Sequence, residues 1–436
     1  MSDSVRIGSG AGFAGDRIQP AVDLVRDSTL DDLVLECLAE RTIALAQQRR
    51  RADPSTGYDG RAAQWFRALL PVALDRGTRI VSNLGAANPL GAGRLAIDIA
   101  GEMGLSCKVA VLTGDEILDA LDLDRPCLED GRPLNARGPV ISANAYLGAD
   151  AITPALATGA DVVLTGRVAD PSLFLAPLAD RLGWDLSDPA SAAHGTLVGH
   201  LLECGTQLTG GYFADPGRKD VPELASLGYP WADVSATGEA VLGKLPGTGG
   251  LLDRHTVREQ LLYEIGDPGA YLTPDVVLDL YGVTLTETAR DRVRVAGAVG
   301  RTRPDQLKVS VGYQAGHRAE AGISYAGPGC VDRARLAGDV VRERLGTLGK
   351  ELRIDVVGSL SEGAQGEVAH CWLRVAGLVR SRDQAEMICH EVESLYTNGP
   401  AGGGGVRTHV IEVIGIVSTL VDRDALNPTA TLLEVS

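Results

Sequence analysis

Val5-Arg6-Ile7-Gly8-Ser9-Gly10-Ala11-Gly12-Phe13-Ala14-Gly15-Asp16-Arg17 is the stretch on which the reading of this chain turns. A short apolar strand runs into closely set glycines and an Asp-Arg pair, and Ile18 opens a helical stretch. Glycines after a strand allow a tight turn and expose N–H groups, and a helix start behind them favours an anion. Gly10-x-Gly12-x-x-Gly15 fits the dinucleotide fingerprint. That fingerprint is completed by an acid at the end of a second strand, about 20 residues further on. Asp31-Asp32 falls at that distance, but it reads as the acidic start of a helix over 31–45, with Arg49, Arg50 and Arg51 at its basic end. The second strand is read at Thr78–Asn83 and ends in a neutral Asn83. Asp16 at the helix start would also repel a pyrophosphate. A NAD(P)-dependent oxidoreductase is therefore kept as an alternative only.

Working outward, apolar runs at 80–83, 108–112, 139–142 and 161–164 each lead through a polar loop into a helix. Continuous apolar strands alternating with helices predict an α/β fold, a Rossmann-like and mostly parallel sheet covered on both faces. The carboxyl ends of such strands line one crevice. Asp16, Arg17, Asn83, Asn88, Asn144, Tyr146, Arg167 and Asp170 all fall at those ends. A helix is expected over Ser191–Thr209 and irregular chain over 214–254. Alternating residues predict antiparallel β-structure over Val276–Tyr325, and a β–β–α–β set over 352–417. The division is 1–210 for the Rossmann-like core, 211–346 for a Gly/Pro-rich and β-rich extension, and 350–436 for a small α+β module.

Three further groups carry chemistry. His200, Glu203, Cys204 and Gln207 share one helical face if the helix continues. They read as a thiolate or acid–base site, or as a polar stripe beside a buried cysteine. Lys244 with Gly247, Gly249 and Gly250 can form an anion nest or an ordinary glycine loop. Arg167 is a candidate clamp for a carboxylate or phosphate, while Asp170 before Pro171 is either a base or a helix cap. Glu264 sits at a helix end, where a carboxylate opposes the dipole.

Composition narrows the classes. The chain has 436 residues and a net charge of −16, which argues against a nucleic-acid partner. Its seven cysteines are scattered with no CxxC, so neither a zinc site nor a disulfide framework is expected. No basic-then-apolar leader and no apolar run long enough for a membrane span are present. A cytoplasmic homo-oligomer with a small-molecule substrate is the expectation, with no metal and no membrane partner.

The motifs as a set resemble the acyclic terpene utilization proteins of the AtuA type. The matching stretches are Gly8–Arg17, Leu38–Thr42, Ser82–Pro89, Ala143–Ala149, Gly159–Asp170, Glu203–Gln207 with Gly210-Gly211, Lys244–Gly250, and Glu259–Glu264 with Asp267-Pro268 and Leu272–Asp275. They run in order to about residue 345. The tail beyond 350 resembles the ferredoxin-like module found with such proteins. The resemblance implies catabolism of citronellol- and geraniol-type compounds through CoA thioesters. It implies a pathway and not a chemical step; the expectation is an enzyme of hydratase, lyase or hydrolase type acting on an acyl-CoA or branched carboxylic acid, with CoA as part of the substrate rather than a separate cofactor. The catalytic candidates are Asp16, Arg167, Asp170, Glu203, Cys204 and Glu264. The substrate-binding candidates are Gly10, Gly12, Arg17, Asn83, Asn88, Asn144, Tyr146, Gln207, Lys244, Gly247 and Gly249. A non-catalytic subunit binding an acyl-CoA or a carboxylase is the other alternative.

Overall fold

The computed structural model describes residues 4–358 and 368–434. Val5, Ile7 and Ala11 are buried, and the strand they lie on, Ser4–Ala11, is an inner strand of a ten-stranded mixed sheet. The order across the sheet is Thr284–Ala289, Arg292–Ala296, Ala240–Lys244, Pro230–Ser235, Ser4–Ala11, Asp32–Leu35, Arg79–Ser82, Val162–Leu164, Lys108–Thr113 and Thr429–Glu434. The five strands from Ser4–Ala11 to Lys108–Thr113 are parallel. Antiparallel strands extend the sheet on both sides. Leu33, Leu35, Ile80, Val109, Val111 and Leu164 pack with Trp65, Phe66, Leu69 and Ile99 in one buried cluster. Strands covered on both faces need no polar alternation, which explains their continuous apolar runs.

Several expectations are corrected. Residues 31–45 are not one helix: Asp32–Leu35 is a fully buried strand, and the helix that follows is Glu40–Ala52. Its acid is not a helix-start charge but a buried partner of two arginines, Arg79 and Arg181. Val140–Ala145 lies outside the parallel set and pairs with the long strand Gln306–Ala326. The stretch 214–254 is not irregular throughout, because Pro230–Ser235 and Ala240–Lys244 join the large sheet. The helix expected to reach Thr209 ends at Leu202, followed by a tight turn at Gly205–Gln207. The antiparallel β-structure within 276–325 is present, including a three-stranded sheet of Val299–Arg301, Val277–Asp279 and Tyr271–Leu272.

The chain divides into two compact units. The larger comprises Met1–Leu134, Ile141–Gly312 and Ile416–Ser436, and the smaller Asn135–Val140 and Tyr313–Gly415. In the smaller unit, Arg353–Val357 pairs with His370–Val379, which pairs with Gln306–Ala326 over His317–Ala326. The helix Arg382–Glu393 starts at a capping box, in which Ser381 and Gln384 each take the other's backbone N–H. Its Ile388 and Val392 pack on Ile323, Leu373 and Val375. No helix among the described residues is long and apolar enough to cross a membrane.

Candidate functional site

All residues of the site described below belong to the larger unit. The carboxyl ends of the parallel strands bring together groups distant in sequence. After Asp32–Leu35 comes Glu36, only 8% exposed, whose Oε1 accepts from the Leu38 N–H at 2.8 Å and from Asn83 Nδ2 at 2.9 Å. Asn83 Oδ1 in turn accepts the Cys37 N–H at 2.7 Å. Burial pushes the Glu36 carboxyl up, against the pull of the Arg167 charge and the Asn83 amide.

Arg167 follows the strand Val162–Leu164 and is 1% exposed. Its Nε donates to the Val168 carbonyl at 2.7 Å. Nη1 donates to the Leu38 carbonyl, and Nη2 to the Asp170 carboxylate. The guanidinium lies over the Tyr146 ring, 4.4 Å from its centroid. Every guanidinium nitrogen has a protein partner, and Arg167 holds Asp170 and Tyr146 in place. Asp170 does not cap the following helix with its side chain.

Tyr146 donates its hydroxyl to Glu40, and Lys308 Nζ stands 3.2 Å from the same carboxylate. Burial would raise the Glu40 carboxyl, but Tyr146, Lys308 and Arg167 together hold it at about 2. Tyr146, Asp170, Lys308 and Tyr271 line a cavity of about 770 Å³. Its other walls are largely apolar, including Leu128, Leu272, Pro274, Leu307 and Leu420.

Next to Tyr271 lies a buried acid–base pair. The Tyr271 and His200 ring centroids are 5.3 Å apart. His200 Nε2 faces the Leu261 carbonyl at 3.1 Å, so it must carry a proton, and Nδ1 faces Glu203 Oε1 at 3.0 Å. One further proton therefore resides between Nδ1 and Oε1. Burial lowers His200, but hydrogen bonding and charge from Glu203 outweigh it and raise the imidazole. Burial raises Glu203 in the same sense, so the pair retains its proton. Glu203 Oε2 is buried without a hydrogen-bond partner. We expect Glu203→Gln to drop the His200 pKa below its ordinary 6.5, because burial then acts without the carboxylate. Histidine ring NMR against pH reads this, and an unmoved His200 titration would contradict the pairing.

A family model for the acyclic terpene utilisation family protein AtuA matches residues 5–432. The chain belongs to the AtuA family. The family's name assigns it to acyclic terpene utilisation. No curated protein and no solved structure matches the chain.

In this AtuA-family chain the other sequence candidates are placed as follows. Gly10 is a packing glycine: a Cβ there would meet Leu35 Cδ2 at 2.7 Å. Gly12 lies against the backbone of Cys204, where a Cβ would come within 2.3 Å of its carbonyl carbon. The Gly12 N–H is taken by Asp16 Oδ2 at 2.8 Å, so the first loop closes on itself rather than offering that donor to a phosphate. Burial raises Asp16. Arg17 donates to the Ala225 carbonyl at 2.7 Å. Asn88 caps the helix Pro89–Glu102, accepting the Gly91 N–H at 3.0 Å. Asn144 Nδ2 donates to Asp115 Oδ2 at 2.9 Å, and its Oδ1 is buried without a partner.

His200 and Glu203 do meet, although the helix ends between them and the four-residue face does not form. Burial and Glu203 push the Cys204 thiol up to about 12, the opposite of what an activated thiolate needs. Gln207 is hydrogen-bonded to Tyr263. Glu264, in a left-handed conformation at φ 58°, lines a different cavity of about 810 Å³. Lys244 is 3% exposed and ties down its own loop, donating to the Thr248 carbonyl at 2.8 Å and pairing with Asp291 at 3.4 Å. Gly247 takes the left-handed turn at φ 77°, and Gly249 lies against the Glu223 carbonyl.

Sequence reading missed Glu36, Glu40, Asp115, Tyr271 and Lys308. Asp115 is 5% exposed and accepts the Arg167 backbone N–H at 2.9 Å. Burial pushes it up to about 6. Glu36 would have joined the strand-end list had Asp32–Leu35 been read as a strand. No local signal marks Tyr271 or Lys308. Among the described residues no group of three or more His, Cys, Asp or Glu side chains could hold a metal ion.

Proposed function

We propose that this chain is an enzyme acting on a branched carboxylic acid or its CoA thioester, of hydratase, lyase or hydrolase type. The observation that carries this reading is the cavity of about 770 Å³ that sets Asp170, Lys308 and Tyr146 among largely apolar walls. An apolar branched chain gains about 25 cal/mol per Å² buried on such walls. Lys308 faces the acyl oxygen and draws its electron density. Asp170, fixed by Arg167 and partly exposed, takes the proton α to the carbonyl, and the electron pair moves to the acyl oxygen. Asp170, now protonated, holds the proton for the return step. The parallel half of the large sheet supports a Rossmann-like description, and the β–β–α–β order of the tail a ferredoxin-like one.

The alternative, a non-catalytic acyl-CoA binder, draws support from the internal satisfaction of Arg167 and Glu40 by protein partners.

Thermal unfolding with isovalerate, isovaleryl-CoA and NADH tests the reading. A saturating acyl ligand at about 100 times its Kd stabilises by about 2.7 kcal/mol. Asp170→Asn is expected to keep this stabilisation while losing turnover, and Lys308→Met to weaken binding by roughly tenfold. Stabilisation by NADH alone would overturn the proposal. Turnover that survives in Asp170→Asn would remove Asp170 as the base.

A further inference from the structure

Glu264 lies on a cavity of about 810 Å³ that the proposed reaction leaves unused. It shares no lining residue with the cavity beside Asp170. One wall is the helix Arg254–Leu261, and another comes from the stretch between Phe213 and Asp220. Thr256, Val257, Gln260 and Leu261 bury the inner face of that helix. His255, Arg258, Glu259 and Leu262, spaced by three and four residues, turn outward and line the cavity. Phe213, Leu251 and Leu262 give it apolar surface, and its volume suits a small molecule, for which sites span about 300–1,000 Å³.

Each acid on its walls already has a donor from the protein. Glu259 accepts from Lys219 Nζ on both oxygens, at 2.7 and 2.6 Å. Asp253 caps the helix, accepting the His255 and Thr256 N–H groups at 2.7 and 3.0 Å. Asp220 accepts the Gly217 N–H at 2.9 Å, and Glu264 is hydrogen-bonded to Tyr263. The bases differ. The side chains of Arg258 and His255 have no partner among the described residues, and Arg218 has Asp215 at 3.9 Å. Lys219 stands 4.8 Å from the centroid of the Phe213 ring, so cation and ring form one surface. Tyr212, next to Phe213, and Glu264 hold left-handed backbones at φ 61° and 58°, which residues other than glycine seldom adopt. Such conformations cluster at binding sites.

We propose that this cavity is a second binding site, for a small organic anion: a carboxylate or phosphate ester carried on an apolar or aromatic body. Arg258 supplies a planar pair of donors to the anion, with Arg218 and His255 beside it. The body lies against Phe213, Leu251 and Leu262.

Calorimetric titration with benzoate, phenyl phosphate, inorganic phosphate and benzyl alcohol tests it. The better of the two ring anions is expected to bind roughly tenfold tighter than inorganic phosphate or benzyl alcohol, because it brings charge and ring together. Which of the two binds better identifies the anion as carboxylate or phosphate. Arg258→Gln is expected to weaken that binding roughly tenfold and to leave Tm unchanged, since the side chain holds no protein partner. Lys308→Met, in the other cavity, is expected to leave it unchanged. Binding untouched by Arg258→Gln, or lost in Lys308→Met instead, would overturn the site. So would an absence of binding by both ring anions, or an affinity for benzyl alcohol or inorganic phosphate equal to theirs.

Discussion

Arg167→Met is expected to destabilise the fold by about 3–5 kcal/mol and to abolish ligand binding in the cavity it backs. The guanidinium is 1% exposed, and the substitution leaves the Leu38 and Val168 carbonyls without their donor. It also strips Asp170 of its counter-charge and removes the cation nearest the buried Glu36. Tyr146 loses the cation on its face. The losses fall on three strand-end loops, those after Asp32–Leu35, Val140–Ala145 and Val162–Leu164, so the effect is structural and chemical together. Arg167→Lys keeps a charge but cannot reproduce the planar fork that reaches Leu38, Val168 and Asp170 at once, and it should recover only part of the loss. Denaturant unfolding of the three proteins measures this. If Arg167→Met unfolds within about 1 kcal/mol of the parent, the value typical of a surface ion pair, the clamp described above does not exist.

Asp32→Ala is the second large effect, again about 3–5 kcal/mol. Asp32 has no exposed surface and sits on a strand between two parallel neighbours. Its Oδ1 accepts from Arg79 Nε at 2.6 Å, and its Oδ2 from Arg181. Arg79 is mostly buried, and without Asp32 it keeps only Asp180 at 2.9 Å. Asp32→Asn retains an acceptor at the position and should cost less than Asp32→Ala. Asp31→Ala, which removes a single hydrogen bond from the Arg6 N–H at 2.8 Å, serves as the neighbour control and should cost about 1 kcal/mol. Equal losses at positions 31 and 32 in denaturant melts would show that the buried pair contributes nothing special.

Asp32 also shows where the sequence stops being readable. Two acids ahead of Leu33, Leu35, Leu38 and a run of arginines have the local character of a helix start and end. Four residues are too few to show a strand period. The strand exists because Ser4–Ala11 and Arg79–Ser82 flank it on either side and because Arg79 and Arg181 neutralise its acid. Those partners lie 47 and 149 residues away, where no window centred on Asp32 reaches. The same holds for the site. Glu40 meets Tyr146 across 106 residues and Lys308 across 268.

The sequence by itself determined the AtuA-family membership, the mixed α/β class, and most strand ends from Val5 to Val163, because apolar runs punctuated by glycine are local signals. It also placed Arg167, Asp170, Asn83 and Tyr146 at one edge. Only the tertiary structure decided what those side chains do. It buried Arg167 among protein partners and tied Lys244 to its own loop. It closed the Gly12–Asp16 loop on itself, brought Tyr271 and Lys308 to the cavity, and set Glu40 against Tyr146 and Lys308 and Glu36 against Asn83. The physical reason is that a side chain's role depends on which donors, acceptors and apolar surfaces remain unpaired around it, and that is settled by contacts between segments far apart in the chain.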